Sequence, residues 1–246
     1  MRHSLGDVAN SLVQLASGAY RVPTFGDYVN SYLLLGEQGD VTLIDTGLKF
    51  APARLIAALR QLGKDPADVT SIVLTHAHSD HAGGAARMVG EAGLTGVAIH
   101  PDDAPFLLRG RAPGTDDTVP GGRIVSRFPN GRFTAAPIAR QLHDREILVG
   151  AGGLEVFHTP GHTPGHVSLL HSATGLLITG DALFNVRSRL SRSIAQFCTS
   201  FAEAKASAAV LADLDFTTVG FMHGPEIRSG AREAVRGFLR RELPRP

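Results

Sequence analysis

The feature that most constrains the fold is a rhythm. Short apolar runs alternate with stretches whose apolar residues recur at helical spacing, and several of the runs end in a histidine or an aspartate. Residues 30–35 (NSYLLL) and 41–45 (VTLID), with Gly36, Gln38, Gly39 and Asp40 between them, read as a hairpin. Pro52, Leu55, Ile56, Leu59 and Leu62 then follow at helical spacing, with proline near the start and Gly63 past the end, as an amphipathic helix requires. Residues 71–75 (SIVLT) read as a strand, 83–89 open a helix and 97–99 form another strand. This is the order of βαβ units, whose sheet must be covered by helices.

Residues 109–145 interrupt the rhythm with Pro113, Gly114, Pro120, Gly121, Gly122, Pro129, Gly131 and Pro137, several arginines and little periodicity. A segment of this kind inside a compact domain is expected to serve as a lid or substrate loop. Beyond it, residues 146–149, 154–158, 167–171 and 176–179 read as successive strands, and 217–221 as another. Ser200 with Glu203 three residues on signals the start of a helix along Phe201, Ala204, Ala208 and Leu211, and 231–239 reads as a final helix. The second half thus repeats the first in outline, which suggests a pseudo-symmetric α/β sandwich in a single domain over residues 1–246.

Composition narrows the function. A chain of 246 residues can bury roughly 70–75% of its unfolded surface, so it needs no staples. Its single Cys198 rules out a disulfide framework or a thiolate cluster. Basic and acidic residues number 24 and 23, a formal net charge of +1, which supplies no global field for nucleic acid or an anionic membrane. No apolar run has the length of a signal peptide or a membrane span, so the expectation is a cytoplasmic protein acting on a small molecule.

The 11 histidines carry the chemistry. After the 71–75 run comes His76-Ala77-His78-Ser79-Asp80-His81, four metal-capable side chains in six residues, a pattern that arises by chance in about one chain of this composition in a thousand. In a turn leaving a strand, His76 and His78 point the same way, while Asp80 and His81 lie further on at a helix start. That arrangement suits two adjacent metal ions better than one. Imidazole with carboxylate favours zinc, with iron or manganese as alternatives. Further ligands stand after later apolar runs: His162, Asp181 and His223. A carboxylate such as Asp181 can bridge two cations, which a neutral imidazole cannot do.

From LIDTG at residues 43–47 through GFMHGP at 220–225, the five motifs in this order resemble the metallo-β-lactamase superfamily. The resemblance implies a four-layer αβ/βα sandwich with the site at one edge between two sheets. It implies His76, His78 and His162 on one divalent ion, Asp80, His81 and His223 on the other, and Asp181 between them. Asp45 would support the ligand loop from behind. The chemistry implied is hydrolysis of an ester-like bond (lactone, ester or thioester), with Asp80 as a proton shuttle as well as a ligand. β-Lactamase or phosphodiesterase activity, an iron oxygenase and a metal-binding protein without turnover are the alternatives. An aspartate at 181 points away from the true β-lactamases, and Phe184 stands where lactonases of the family usually place a tyrosine hydroxyl.

His3, His100, His143 and His171 read as ordinary core or surface residues, His158 and His166 as turn or supporting residues, and Cys198 as a small hydrophobe. Arg187, Arg189 and Arg192 are either a solvated run or a contact for an anionic substrate. Specificity is expected in residues 109–145 and in a loop over 18–29.

Overall fold

The computed structural model describes residues 12–125 and 131–242; His3 lies outside them. The first sheet follows chain order: β1 (Val13–Ala16), β2 (Ala19–Pro23), β3 (Asn30–Leu35), β4 (Val41–Ile44), β5 (Val69–Val73), β6 (Val97–Ile99) and β7 (Ile138–Gln141). Its first four strands are antiparallel and joined by short turns. From β4 onward the pairing is parallel, which forces long crossovers. Those are α1 (Pro52–Gln61) and α2 (Ala85–Ala92), then a connection holding α3 (Ala104–Arg109) and the four-residue α4 (Gly122–Val125).

The second sheet is built from β8 (Ile147–Leu148), β9 (Leu154–His158), β10 (Val167–His171), β11 (Leu176–Ile178) and, after a separate hairpin of β12 (Leu183–Val186) and β13 (Arg189–Arg192), β14 (Thr218–Gly220). Strand β14 pairs parallel to β11, and helices α5 (Phe201–Ser207) and α6 (Ala231–Glu242) follow β13 and β14.

Alternation along the strands builds the layers. Leu33, Leu43 and Ile72 pack against Leu55, Leu59 and Met88 of α1 and α2. Their neighbours Tyr32, Leu34, Ile44 and Val73 face the opposite way and meet Val156, Val167, Leu169 and Ile178 of the second sheet. On its outer face Phe157, Leu170, Leu177 and Val219 pack against Leu211, Val235 and Leu239. Strands covered on both faces read as unbroken apolar runs, which is why 30–35 and 167–171 stand out in the sequence. Each such leucine removed from water contributes about 1.5–3 kcal/mol. The result is the expected αβ/βα sandwich.

Three local readings need correction. Residues 19–23, expected as part of a loop, form β2, whose Ala19 and Val22 are buried while Tyr20 is partly exposed. Residues 138–141, inside the segment expected as irregular, form an edge strand; no residue of β7 is fully buried, so it carries no apolar alternation. The hairpin of β12 and β13 is absent from the sequence reading because its second strand is RLSR, without a buried position. The helix signal at Ser200 holds on one side: Ser200 Oγ accepts from Glu203 N, while Ser200 N donates to Gly161 O at 2.8 Å. That bond ties the start of α5 to the turn carrying His162.

Candidate metal centre

Parallel strands bring their C-terminal ends to one edge, and three of those ends carry ligands of the site. His76, His78, Asp80 and His81 follow β5, Asp181 follows β11 and His223 follows β14, while His162 lies in the turn between antiparallel β9 and β10. All seven residues come together. His76 Nε2 lies 3.1 Å from His78 Nδ1, which lies 2.9 Å from His162 Nε2. Asp181 sits between this trio and the rest: Oδ2 is 3.2 Å from His162 Nε2 and 3.3 Å from His223 Nε2, and Oδ1 is 3.4 Å from His81 Nε2. Asp80 Oδ2 lies 3.5 Å from His223 Nε2 and 3.7 Å from His81 Nε2. His76, His81, His162 and Asp181 are buried; Asp80 is partly exposed, at the mouth.

The donor set fits divalent cations. Three imidazole nitrogens converge, and the ring planes of His76, His78 and His162 stand at 80–85° to one another, so their lone pairs share one focus. His81 Nε2 and Asp181 Oδ1 are buried without a hydrogen-bond partner, each an omission costing about 1–3 kcal/mol that a cation between them would remove. His76, His81 and Asp181 form a group within ligand range of one another, as do His76, His78 and His162, and Asp80, His81 and His223.

Supporting contacts fix the rings. Asp45, in a left-handed conformation (φ 54°) that aspartate tolerates, accepts from Thr75 N, from the Thr75 hydroxyl and from His81 Nδ1 at 2.7, 2.6 and 2.7 Å. The Thr75 oxygen lies 3.0 Å from His76 Nδ1, so one carboxylate steadies a ring in each group. His223 Nδ1 donates to Tyr28 O at 2.5 Å. His166 acts from behind, its Nε2 accepting from Asp181 N at 2.7 Å. Gly180 (φ 54°) is required there, because a Cβ would stand 2.4 Å from that nitrogen.

Charge is unevenly spread. Burial pushes His76 and His78 down, the latter to about 3, helped by neighbouring imidazoles. Burial also opposes protonation of His81 and His162, but Asp181, with Asp80 and Asp45 at His81, outweighs it and raises them to about 10 and 9. Burial works against ionisation of Asp181, yet His223, His81 and His162 hold it well below the usual carboxylate range. The centre draws in positive charge, which ligands shed as protons when a cation arrives.

Other residues complete the site, and of these Arg21 and Asn30 carry no local signal in the sequence. Arg21 donates to Glu226, Asp27 and Asn30, and the Asn30 amide donates to Phe221 O and Gly224 O; together they dock the His223 turn onto β2 and β3. Phe184 packs its ring 4.5 Å from that of His223. Buried Cys198 places its sulfur 3.7 Å from His162 Nδ1. Asp103 has the one overlooked signal, since it follows the apolar run of β6 as the ligands follow theirs.

A fourth group, His100, Asp102 and His158, also meets on distance. Its imidazoles are stacked, with centroids 4.0 Å apart and planes 13° from parallel. Lone pairs lying in parallel planes do not converge on one ion at a bond length of about 2.1 Å, so this pair is packing rather than a ligand set.

Fold and site define a metallo-hydrolase of known type: the family model of the metallo-beta-lactamase superfamily matches residues 24–236, and the chain belongs to that superfamily. Among curated relatives it is 34% identical over 213 residues to the uncharacterized protein YobT of Bacillus subtilis, covering 82% of this chain and 85% of that one. It is 30% identical over 175 residues to the acyl-coenzyme A thioesterase MBLAC2 of Gallus gallus, covering 65% and 59%. Among solved structures, a metallo-beta-lactamase from Cronobacter sakazakii superposes with a TM-score of 0.71 at 20% identity over 94% of this chain and 92% of that one, a likeness of fold.

Proposed function

We propose that the protein hydrolyses an ester-like bond, in a lactone, ester or thioester of a small molecule, with two divalent ions held by His76, His78 and His162 and by Asp80, His81 and His223, and shared by Asp181. The observation that carries this reading is Asp181: its Oδ2 lies between His162 of one histidine group and His223 of the other, and its Oδ1, beside His81, is buried with no hydrogen-bond partner. Bound there, two ions, zinc by the chemistry of the ligands, supply Lewis acidity that polarises a carbonyl and acidifies water. Asp80, partly exposed and held by His81 and His223 below the usual carboxylate range despite its burial, stays a carboxylate that can take a proton from water and hand it to the leaving group. His223, backed by Tyr28 O and Phe184, orients the far side of the site.

The surroundings favour an acyl substrate with an apolar part. Phe25 and Tyr28, 53% and 58% exposed, lie on the loop that braces His223, and Phe25 meets Phe50, itself 50% exposed, edge to face. The thioesterase activity named for the Gallus gallus relative supports the same class of bond. No helix among the described residues is long and apolar enough to cross a membrane, which is compatible with a cytoplasmic setting. Assay of metal-loaded protein against lactone, thioester, aryl ester, β-lactam and phosphodiester substrates tests the reading; turnover confined to the last two would overturn it.

A further inference from the structure

Asp103 is a fully buried carboxylate that the chemistry above does not use. It stands at the start of α3, after β6, yet its hydrogen bonds run to two other segments. Oδ2 accepts from Ala77 N at 2.7 Å, between His76 and His78, and from the Thr163 hydroxyl at 2.8 Å, next to His162. Oδ1 accepts from Gly165 N at 2.7 Å. All three are charge-assisted bonds of the short, strong kind. The approach is close enough that a Cβ on Gly165 would come within 2.5 Å of Asp103 N. The same segments are joined nearby by the His100–His158 stack and by His158 Nε2 donating to Pro164 O at 2.9 Å.

We infer that Asp103 is a positioning residue that sets the spacing of the three-histidine group, by clamping the His76–His78 turn to the turn of His162. The inference rests on the reading of those histidines as metal ligands. No bond in the clamp reaches Asp80, His81 or His223, so its loss acts on one group and not the other. The two ligand turns are 84 residues apart in sequence, and Asp103 bonds to both of them. Asparagine in its place keeps the shape but aims an NH2 at main-chain N–H donors, which converts at least one bond into a donor–donor conflict.

The test measures metal binding rather than turnover. Zinc affinity by chelator competition and the absorption spectrum of the cobalt-loaded protein are compared for wild type, Asp103→Asn, Thr163→Val, which removes one of the three bonds, and Leu59→Ala, a core change in α1 that lowers stability without touching the clamp. Asp103→Asn is expected to weaken one of the two zinc equivalents about tenfold to a hundredfold and to alter the cobalt spectrum. Thr163→Val should weaken the same equivalent less, and Leu59→Ala neither. Folded Asp103→Asn and Thr163→Val proteins that bind both equivalents as wild type does would overturn the clamp alone. If Asp103→Asn does not fold, Thr163→Val decides. Wild-type protein that binds no zinc or cobalt would instead overturn the proposed function, and with it the purpose of the clamp.

Discussion

His78 Nδ1 and His162 Nε2 face each other at 2.9 Å in a buried centre, with His76 Nε2 a further 3.1 Å from the first. A single proton serves at most one such pair, so three converging nitrogens call for a cation. Elemental analysis of freshly purified protein is expected to give about two transition-metal ions per chain, zinc foremost. Removing them with a chelator should lower the melting temperature, since a ligand bound only to the folded state stabilises it. Under half an equivalent, with no uptake of added zinc, manganese or iron, would refute this.

Asp181→Ala is expected to cost about a hundredfold or more in activity, and Phe184→Ala far less. The aspartate faces both histidine groups, whereas the phenylalanine ring only packs against His223. Rates compared at equal metal content check it; similar losses in the two variants would mean that Asp181 bridges nothing.

The His100–His158 stack predicts an acid-sensitive step in stability. Burial and the neighbouring His158, with His143 beyond, push His100 down to about 4 against the pull of Asp102 and Asp144. Its folded value lies below the usual 6.5, so the unfolded chain binds the proton more readily. The contribution is therefore complete above pH 6.5 and is lost as pH falls toward 4. Melting temperatures across that window should fall less steeply for His100→Phe, which keeps a ring to stack. Parallel curves would remove His100 from the account.

Residues 114–120 are strapped to the segment before α5. Asp116 N donates to Cys198 O at 2.6 Å, Phe201 N to the Asp116 carboxylate at 3.1 Å, and the Gln196 amide to Pro120 O at 2.9 Å. Asp116→Ala loosens that strap on the surface. The expected result is unchanged metal content with KM values that shift across the substrate panel, kcat moving less. Loss of metal from the folded variant would make the strap part of the metal scaffold.

Much of the site was legible because strand ends advertise it. His76 to His81, His162, Asp181 and His223 each follow a turn out of an apolar run, and polar residues at such places stand out against the core. Strands β3, β9 and β10 were legible for the same reason. What escaped depends on distance along the chain. Arg21 and Asn30 support His223 from the other end of the sequence, through bonds spanning up to 205 positions, and nothing local marks them. Strands β7 and β13 pair without burying a full face, so their periodicity is erased. Asp103 resembled an ordinary helix-start residue, since its partners lie in other segments.

The docking of the His223 turn onto β2 and β3 has a bearing on how the molecule is made. His223 is fastened to Tyr28 across 195 positions, and Asp181 and His162 come from between them. A nascent chain that has released only its first sheet holds His76 to His81 but no complete ligand set, so it cannot mature its metal centre early. Two ions held by those residues, as proposed, would tie together segments from both sheets and so favour the completed fold over any partly folded chain. Loading would then report that synthesis and folding are complete.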